Sequence, residues 1–389
     1  MNPVSRLLTL RKLGIGANRA ARRRVIFNIV LITLVVSILV LAQIFVVSMS
    51  RGIADKWALL ADGHLQLYVD KRQPMIEHPS IETIDRVGEV NALLYSPDKN
   101  QMVRVKGVEQ SYFNDSRLAQ LTITQSENAS PSTLAKIMIS TTLAERLAVK
   151  IDDRLALMLV SNDAIRAQLC IIGALYDTGY HELDEQLVFC DLAFLERLFS
   201  GGVTAYYEVL TQERNLETVK GDFERAGYQT TTWKEQNPAL FDNLETSRQA
   251  VLAVMVAVAI LCGYFISELS SQMVEDDKAR IATLHLIGAH PQVVRRAYWT
   301  AVMVITTVSI ALGTALGILF ARQLPPLLAT IAARSYSALS FYLLDFPIRV
   351  PVLDLSIIAS VLFCVSAVSV HLSLRRVSAI DALSCVRFD

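Results

Sequence analysis

The chain has 389 residues, with 37 Lys+Arg against 37 Asp+Glu, so its formal net charge is zero. Apolar residues make up 52% and charged residues 19%, below the roughly one quarter usual in soluble domains. A mean hydropathy of +0.38 excludes an ordinary soluble enzyme, yet the chain is too charged to lie wholly in lipid. Five Cys are too few for a disulfide scaffold, and balanced charge argues against a nucleic-acid partner.

Residues 1–24 hold Arg6, Arg11, Lys12, Arg19, Arg22, Arg23 and Arg24 and no acid. The first window free of Asp, Glu, Lys and Arg follows at 25–50. It is too long for the apolar core of a signal peptide, about 7–15 residues, and reads as a retained anchor. Three more such windows lie at 249–267, 297–321 and 355–374. Each can span a bilayer, which needs about 20 apolar residues. Basic residues mark the cytoplasmic side. The N-terminal segment, the loop 268–296 and the tail 375–389 are therefore expected in the cytoplasm. Residues 51–248 and the short loop 322–354 are expected outside. The prolines Pro325, Pro326, Pro347 and Pro351 punctuate window ends.

The outer stretch 51–248 carries 20 Lys+Arg and 29 Asp+Glu. Its alternation predicts strands at 65–69, 102–108, 155–160, 168–174 and 186–190. Helical spacing predicts helices at 80–87, 141–148, 192–199 and 216–226, with a polar loop at 125–131. The expected fold is therefore an α-helical membrane protein with four transmembrane helices. A large mixed α/β extracytoplasmic domain lies between helices 1 and 2.

Catalytic patterns are absent: no G-x-x-x-x-G-K-[ST], C-x-x-C, H-E-x-x-H or G-x-S-x-G occurs. His181, Glu182, Asp184 and Glu185 form a cluster that reads as a solvated acidic turn, a metal site being the alternative. Cys170 and Cys190 lie on consecutive predicted strands, which leaves open a cross-strand disulfide or two buried free thiols. In the cytoplasmic loop, Ile281, Leu284, Leu286 and Ile287 give a short helix one apolar side, and Gly288 ends it. Such a helix can rest on the membrane or dock into a groove of a soluble partner. Glu275, Asp276 and Asp277 favour the partner, because an anionic leaflet repels them.

The arrangement of one helix, a large outer domain and three more helices resembles the FtsX/MacB-like ABC permeases. Glu275–Gly288 is similar to their coupling segment E-x-x-x-E-I-A-x-L-x-x-x-G, with the acidic signature shifted around Asp277 and Arg280. Arg375–Ser384 resembles their C-terminal pattern, with Ile380 in place of the usual Pro. Ile139–Asp153 looks like I-G-x-x-L-A-x-x-L-x-V-x-x-G-D, with Ser140 and Asp152 where the pattern has Gly. Ile172–Asp184 resembles V-x-G-I-F-x-T-G-x-x-E-x-D. These two stretches, and Leu344–Val350, are closest to the lipoprotein-releasing (LolC/LolE-type) branch.

The resemblance implies a non-enzymatic permease subunit of a bacterial inner membrane, with both termini cytoplasmic and the large domain periplasmic. It implies a cytoplasmic ABC ATPase dimer that holds the ATP and Mg, so that this chain binds no cofactor itself. A second permease chain, identical or sister, completes the assembly. The implied cargo is a lipoprotein or lipid, passed to a periplasmic carrier or adaptor. Coupling residues would be Glu275, Arg280, Ile281, Leu284, Leu286 and Gly288. An acyl groove would involve Ile44, Phe45, Val47, Met49, Val254 and Met255. The alternatives are a MacB-like efflux permease serving an adaptor and outer-membrane duct, and an FtsX-like regulator of a periplasmic partner.

Overall fold

The computed structural model describes residues 19–69, 78–97, 99–125, 134–160, 165–198, 203–276, 281, 283, 290–335 and 348–374. The chain divides into two compact units. One contains residues 1–49, 245–327 and 347–389; the other contains 50–244 and 328–346.

The first unit is helical. Helix α1 is Arg19–Lys56, and three further long helices occupy Pro238–Asp276, Pro291–Ser335 and Val352–Ser373. Among the described residues, four stretches are long and apolar enough to cross a membrane: Val25–Asp62, Pro238–Glu268, Gln292–Leu324 and Val352–Ser373. The first three uncharged windows thus form the middles of longer helices, and the fourth nearly coincides with its own. The third helix runs on through Pro325 and Pro326 to Ser335, so these prolines do not end it, and part of the expected loop 322–354 is helical. Proline's fixed φ suits a helix, so the backbone passes through the pair while giving up two N–H donors.

Close approach of these helices depends on glycine. A Cβ on Gly313 would lie 2.9 Å from the Thr33 carbonyl oxygen, and one on Gly317 would lie 2.9 Å from that of Ser37. The four-residue spacing brings both onto one face, where α1 can pack backbone to backbone.

Among the described residues, the second unit is built on ten strands: β1 (Leu65–Tyr68), β2 (Ile81–Tyr95), β3 (Asn100–Val108), β4 (Thr122–Gln125), β5 (Ala135–Ser140), β6 (Arg154–Val160), β7 (Ile165–Asp177), β8 (Leu187–Asp191), β9 (Thr204–Thr211) and β10 (Gln229–Thr232). Strand β2 pairs with β3 on one edge, and with β9 and then β6 on the other. The pairings β3–β8, β8–β5, β5–β7 and β7–β6 complete a closed circuit of six strands. Closure leaves no free edge within that circuit. Its interior is filled by Ala92, Leu94, Val103, Val105, Ile137, Ile139, Leu157, Ile172 and Val188, with Cys170 and Cys190. Helices α2 (Thr141–Leu147) and α3 (Leu192–Leu198) contribute Leu143, Leu147 and Leu195 to the same core. A smaller leaf, β10–β1–β9 with the first half of β2, packs on α4 (Leu216–Arg225) through Val219 and Phe223.

Of residues 80–87, expected to be helical, 81–87 belong to β2. A register shift between Ile81 and Thr83 puts Ile81 and Ile84 against the same core. The bulge thereby imitates a three-residue helical spacing. Cys170 and Cys190 are both buried free thiols. Strand β5 lies between their strands, so β7 and β8 are not neighbours, and of the two alternatives left open the pair of free thiols is the one found. Burial pushes the Cys170 thiol up to about 11. Within 125–131, Gln125 ends β4 and the rest lies outside the described residues.

Candidate functional site: the junction at the end of the first helix

At Trp57 the chain leaves α geometry and winds through a π-helical turn, Trp57–Asp62, closed by Gly63 at φ +71°. This turn lies in an apolar core of Trp57, Ala58, Leu60 and Ala61 with Val87, Val108, Tyr112, Phe189, Tyr206 and Trp233. Strands alternate their side chains between faces. The face of β2, β3 and β9 opposite the closed core therefore projects Asp85, Glu89, Arg104, Lys106 and Glu208 toward this region.

The turn's carbonyls are held by buried cations. Lys106 Nζ donates to the Leu60 oxygen at 2.9 Å and the Ala61 oxygen at 2.7 Å. Arg117 Nε donates to the Leu59 oxygen at 3.0 Å. Tyr112 accepts from Lys106 at 2.8 Å and donates to the Leu60 oxygen at 3.0 Å. Carboxylates neutralise the two cations. Glu208 meets Lys106 at 2.5 Å and Arg117 at 3.5 Å, and Asp85 meets Arg117 at 2.5 Å. The Arg117 guanidinium also stacks 3.6 Å from the Tyr112 ring centroid. Burial pushes the Glu208 carboxyl up and the Lys106 ammonium down, each opposed chiefly by the other. The donor set suits an ammonium facing a carboxylate, because Lys106 meets acceptors on every side.

Asp62 gathers three elements. It accepts from Trp57 Nε1 at 2.6 Å, from Arg104 at 2.9 Å and from Asn237 Nδ2 at 2.6 Å. Asn237 immediately precedes Pro238, where the second long helix starts. One carboxylate therefore ties the end of α1, strand β3 and the entry to the next long helix. On the other side of the turn, Lys56 donates to the Thr178 carbonyl.

Thr178 belongs to the T-G-x-x-E-x-D stretch, whose chemistry is now legible. Its amide and hydroxyl donate to Asp184 Oδ1 at 3.2 and 2.8 Å, and Gly179 adopts φ +67°. Asp184 is buried and desolvation raises its carboxyl to about 7. The expected solvated turn thus contains a buried acid. His181 pairs with Glu185 at 2.7 Å, and no cluster fit to hold a metal occurs among the described residues. Ser140 and Asp152 stand where the family pattern has Gly. Ser140 caps α2 by accepting from the Leu143 amide, and Asp152 takes φ +70°.

The helical unit has a polar clasp of its own. Buried Asp354, in the first turn of the last helix, accepts from Gln43 at 3.1 Å and from Arg248 at 3.3 Å.

Residues 252–382 match the FtsX-like permease C-terminal family. No curated protein matches the chain. Among the solved structures that match, two align with 40% of it. One is the extracellular domain of the noncanonic ABC-type transporter YknZ from Gram-positive bacteria, at 11% identity over 83% of that chain, with a TM-score of 0.27. The other is a domain of a Porphyromonas gingivalis protein described as a permease, at 16% identity over 72% of that chain, with a TM-score of 0.24.

Within the FtsX-like segment, Glu275 is exposed in the last turns of the helix Pro238–Asp276. Glu275 and Asp276 thus end that helix rather than opening a separate one. Ile281 is fully buried in the helical unit's core. Arg280, Leu284, Leu286 and Gly288 lie outside the described residues, as do residues 1–18 and 375–389. Of the expected groove residues, Ile44 and Val47 are fully buried within the chain's own packing. Phe45, Met49 and Met255 are half-buried, and Val254 is exposed. The burial of Ile44 and Val47 removes them from any surface this chain presents alone. Sequence reasoning missed Asp62, Asp85, Arg104, Lys106, Arg117, Glu208 and Asp354. Only Asp354 carried a local signal, an acid directly before an apolar window, where a helix N-terminus favours it.

Proposed function

We propose that this chain is the membrane subunit through which a separate ATPase drives work outside the membrane, extracting a lipoprotein or lipid from an inner membrane. The observation that supports this most is the junction. The end of α1 is gripped on successive residues, Lys56 by its side chain, Leu59, Leu60 and Ala61 by their carbonyls, and Asp62 by its carboxylate. Such a grip suits load transfer along a helix. At about 1.5 Å per residue, the 38 residues of α1 exceed the roughly 30 Å of hydrocarbon, which leaves length to carry motion beyond the bilayer.

In this reading ATP and Mg stay on the ATPase, and the termini are cytoplasmic. The 275–288 segment receives the nucleotide-driven closure. A second permease chain completes the groove, to which Val254, Phe45, Met49 and Met255 offer adaptable apolar surface. The test is reconstitution with the cognate ATPase. Leu284→Asp with Leu286→Asp should abolish stimulated turnover while the outer unit stays folded. Normal docking and turnover in that variant would overturn the coupling assignment. Absence of co-purifying lipid or lipoprotein in mild detergent would overturn the extraction reading.

A further inference from the structure

We infer that the π-helical turn Trp57–Asp62 is a register joint. It takes up or releases one residue of helix α1 during the working stroke, while Lys106 and Arg117 hand successive carbonyls from one donor to the next. The inference rests on the proposed role of α1 as the transmitting element.

Four observations lead to it. First, a π turn holds more residues per turn than α-helix and occurs mostly as a single turn at functional sites. Here it sits at the point where a 38-residue α-helix ends. Trp57 Nε1 bonds the Asp62 carboxylate five residues on, the spacing at which a π turn brings side chains into register. Second, the carbonyls of Leu59, Leu60 and Ala61 are met by side-chain donors. A donor on a side chain does not require a fixed backbone register. Lys106 already spans two successive carbonyls, at 2.9 and 2.7 Å. Its compact charge on a flexible four-carbon stem can follow either one.

Third, the turn ends on Gly63, at φ +71°, where a Cβ would lie 3.0 Å from Glu208 Cβ. The swivel residue therefore combines left-handed freedom with close approach to the stem of Glu208, whose carboxylate neutralises Lys106. Fourth, the residues bounding the turn are fixed to different elements, Lys56 to Thr178 and Asp62 to Arg104 and Asn237. The slack lies between two anchors. Passing one residue through the joint, with Lys56 letting go of the Thr178 carbonyl, would advance α1 by about 1.5 Å and rotate it by about 100°.

The experiment uses the full chain in nanodiscs with its cognate ATPase. Hydrogen exchange of the amides 57–62 is compared between the nucleotide-free and vanadate-trapped states. At least a fivefold change in exchange rate there, with β3 and β9 unchanged, is expected. Coupled turnover with unchanged exchange at 57–62 would overturn the joint and leave the transmission reading intact. No coupling of the wild-type chain to the ATPase would overturn both. A second arm deletes Ala58, which removes the residue that the π turn accommodates. Stimulated turnover should fall more than tenfold, with the thermal melt of the outer unit retained. Wild-type turnover in the deletion variant would overturn the joint. Should the deletion unfold the outer unit, the exchange comparison decides alone.

Discussion

Lys106 and Glu208 meet at 2.5 Å with both side chains wholly withdrawn from solvent. They sit on strands β3 and β9, which do not pair with each other but lie on either side of β2. Breaking a buried pair by removing one partner costs about 3–5 kcal/mol, because it strands the other charge. Lys106→Met is therefore expected to lower the unfolding free energy of the second, strand-built unit by that amount in urea titration. Lys106→Met with Glu208→Met should recover most of the loss. A residual deficit of about 1–3 kcal/mol should remain, because the Leu60 and Ala61 carbonyls lose a donor. Equal deficits in the single and double variants would show that the pair itself contributes nothing.

Asp184 sets a pH dependence. Its folded-state carboxyl is raised to about 7 from an ordinary 3.8, so between those values the folded chain holds a proton that the unfolded chain releases. Stability therefore falls as pH rises from about 4 to about 7, by up to about 4 kcal/mol from this group. Asp184→Asn keeps an acceptor for Thr178 and should flatten that slope. An unchanged slope in thermal melts across this range would remove Asp184 as its source.

Gly313 and Gly317 should resist substitution. Each would place a Cβ 2.9 Å from a carbonyl oxygen of α1, and backbone cannot move aside as a side chain can. Ala at either position is expected to cost about 1–3 kcal/mol. Gly221, inside α4, offers the contrast: a Cβ there meets nothing closer than the Arg225 guanidinium at 3.7 Å. Gly221→Ala should stabilise by about 0.5–1 kcal/mol. Opposite signs in thermal melts of the full chain check the pair of predictions.

Asp152 carries left-handed backbone at φ +70°. Aspartate tolerates that region better than branched residues do. Asp152→Val should cost about 1–2 kcal/mol, whereas Asp152→Gly should hold or gain stability. A valine variant as stable as wild type would mean that the turn reshapes locally.

Much of the architecture was readable from local pattern. The four apolar windows announced their helices because length and lack of charge need no tertiary information. Strands such as Leu65–Tyr68 and Leu187–Asp191 announced themselves by composition. The failure at 80–87 is equally physical. A bulge breaks two-residue alternation, and Ile81 and Ile84 then look helical. Closure of the six strands was not readable, because β2 divides one edge between β9 and β6 and no local signal marks the division.

The junction divides the same way. Sequence alone determined that a long apolar helix leads into an acidic stretch of mixed α/β pattern, since charge distribution and hydropathy are properties of the chain itself. It also marked the T-G-x-x-E-x-D stretch as notable. Only the tertiary structure decided that β3's polar face is buried. Met102-Val-Arg-Val-Lys106 alternates like a strand with one face in water, yet Lys106 is fully buried. Its partner Glu208 lies 102 residues away. A charge becomes tolerable in the interior when its counter-charge and hydrogen-bond acceptors converge on it, and convergence across that separation is a property of the folded chain alone.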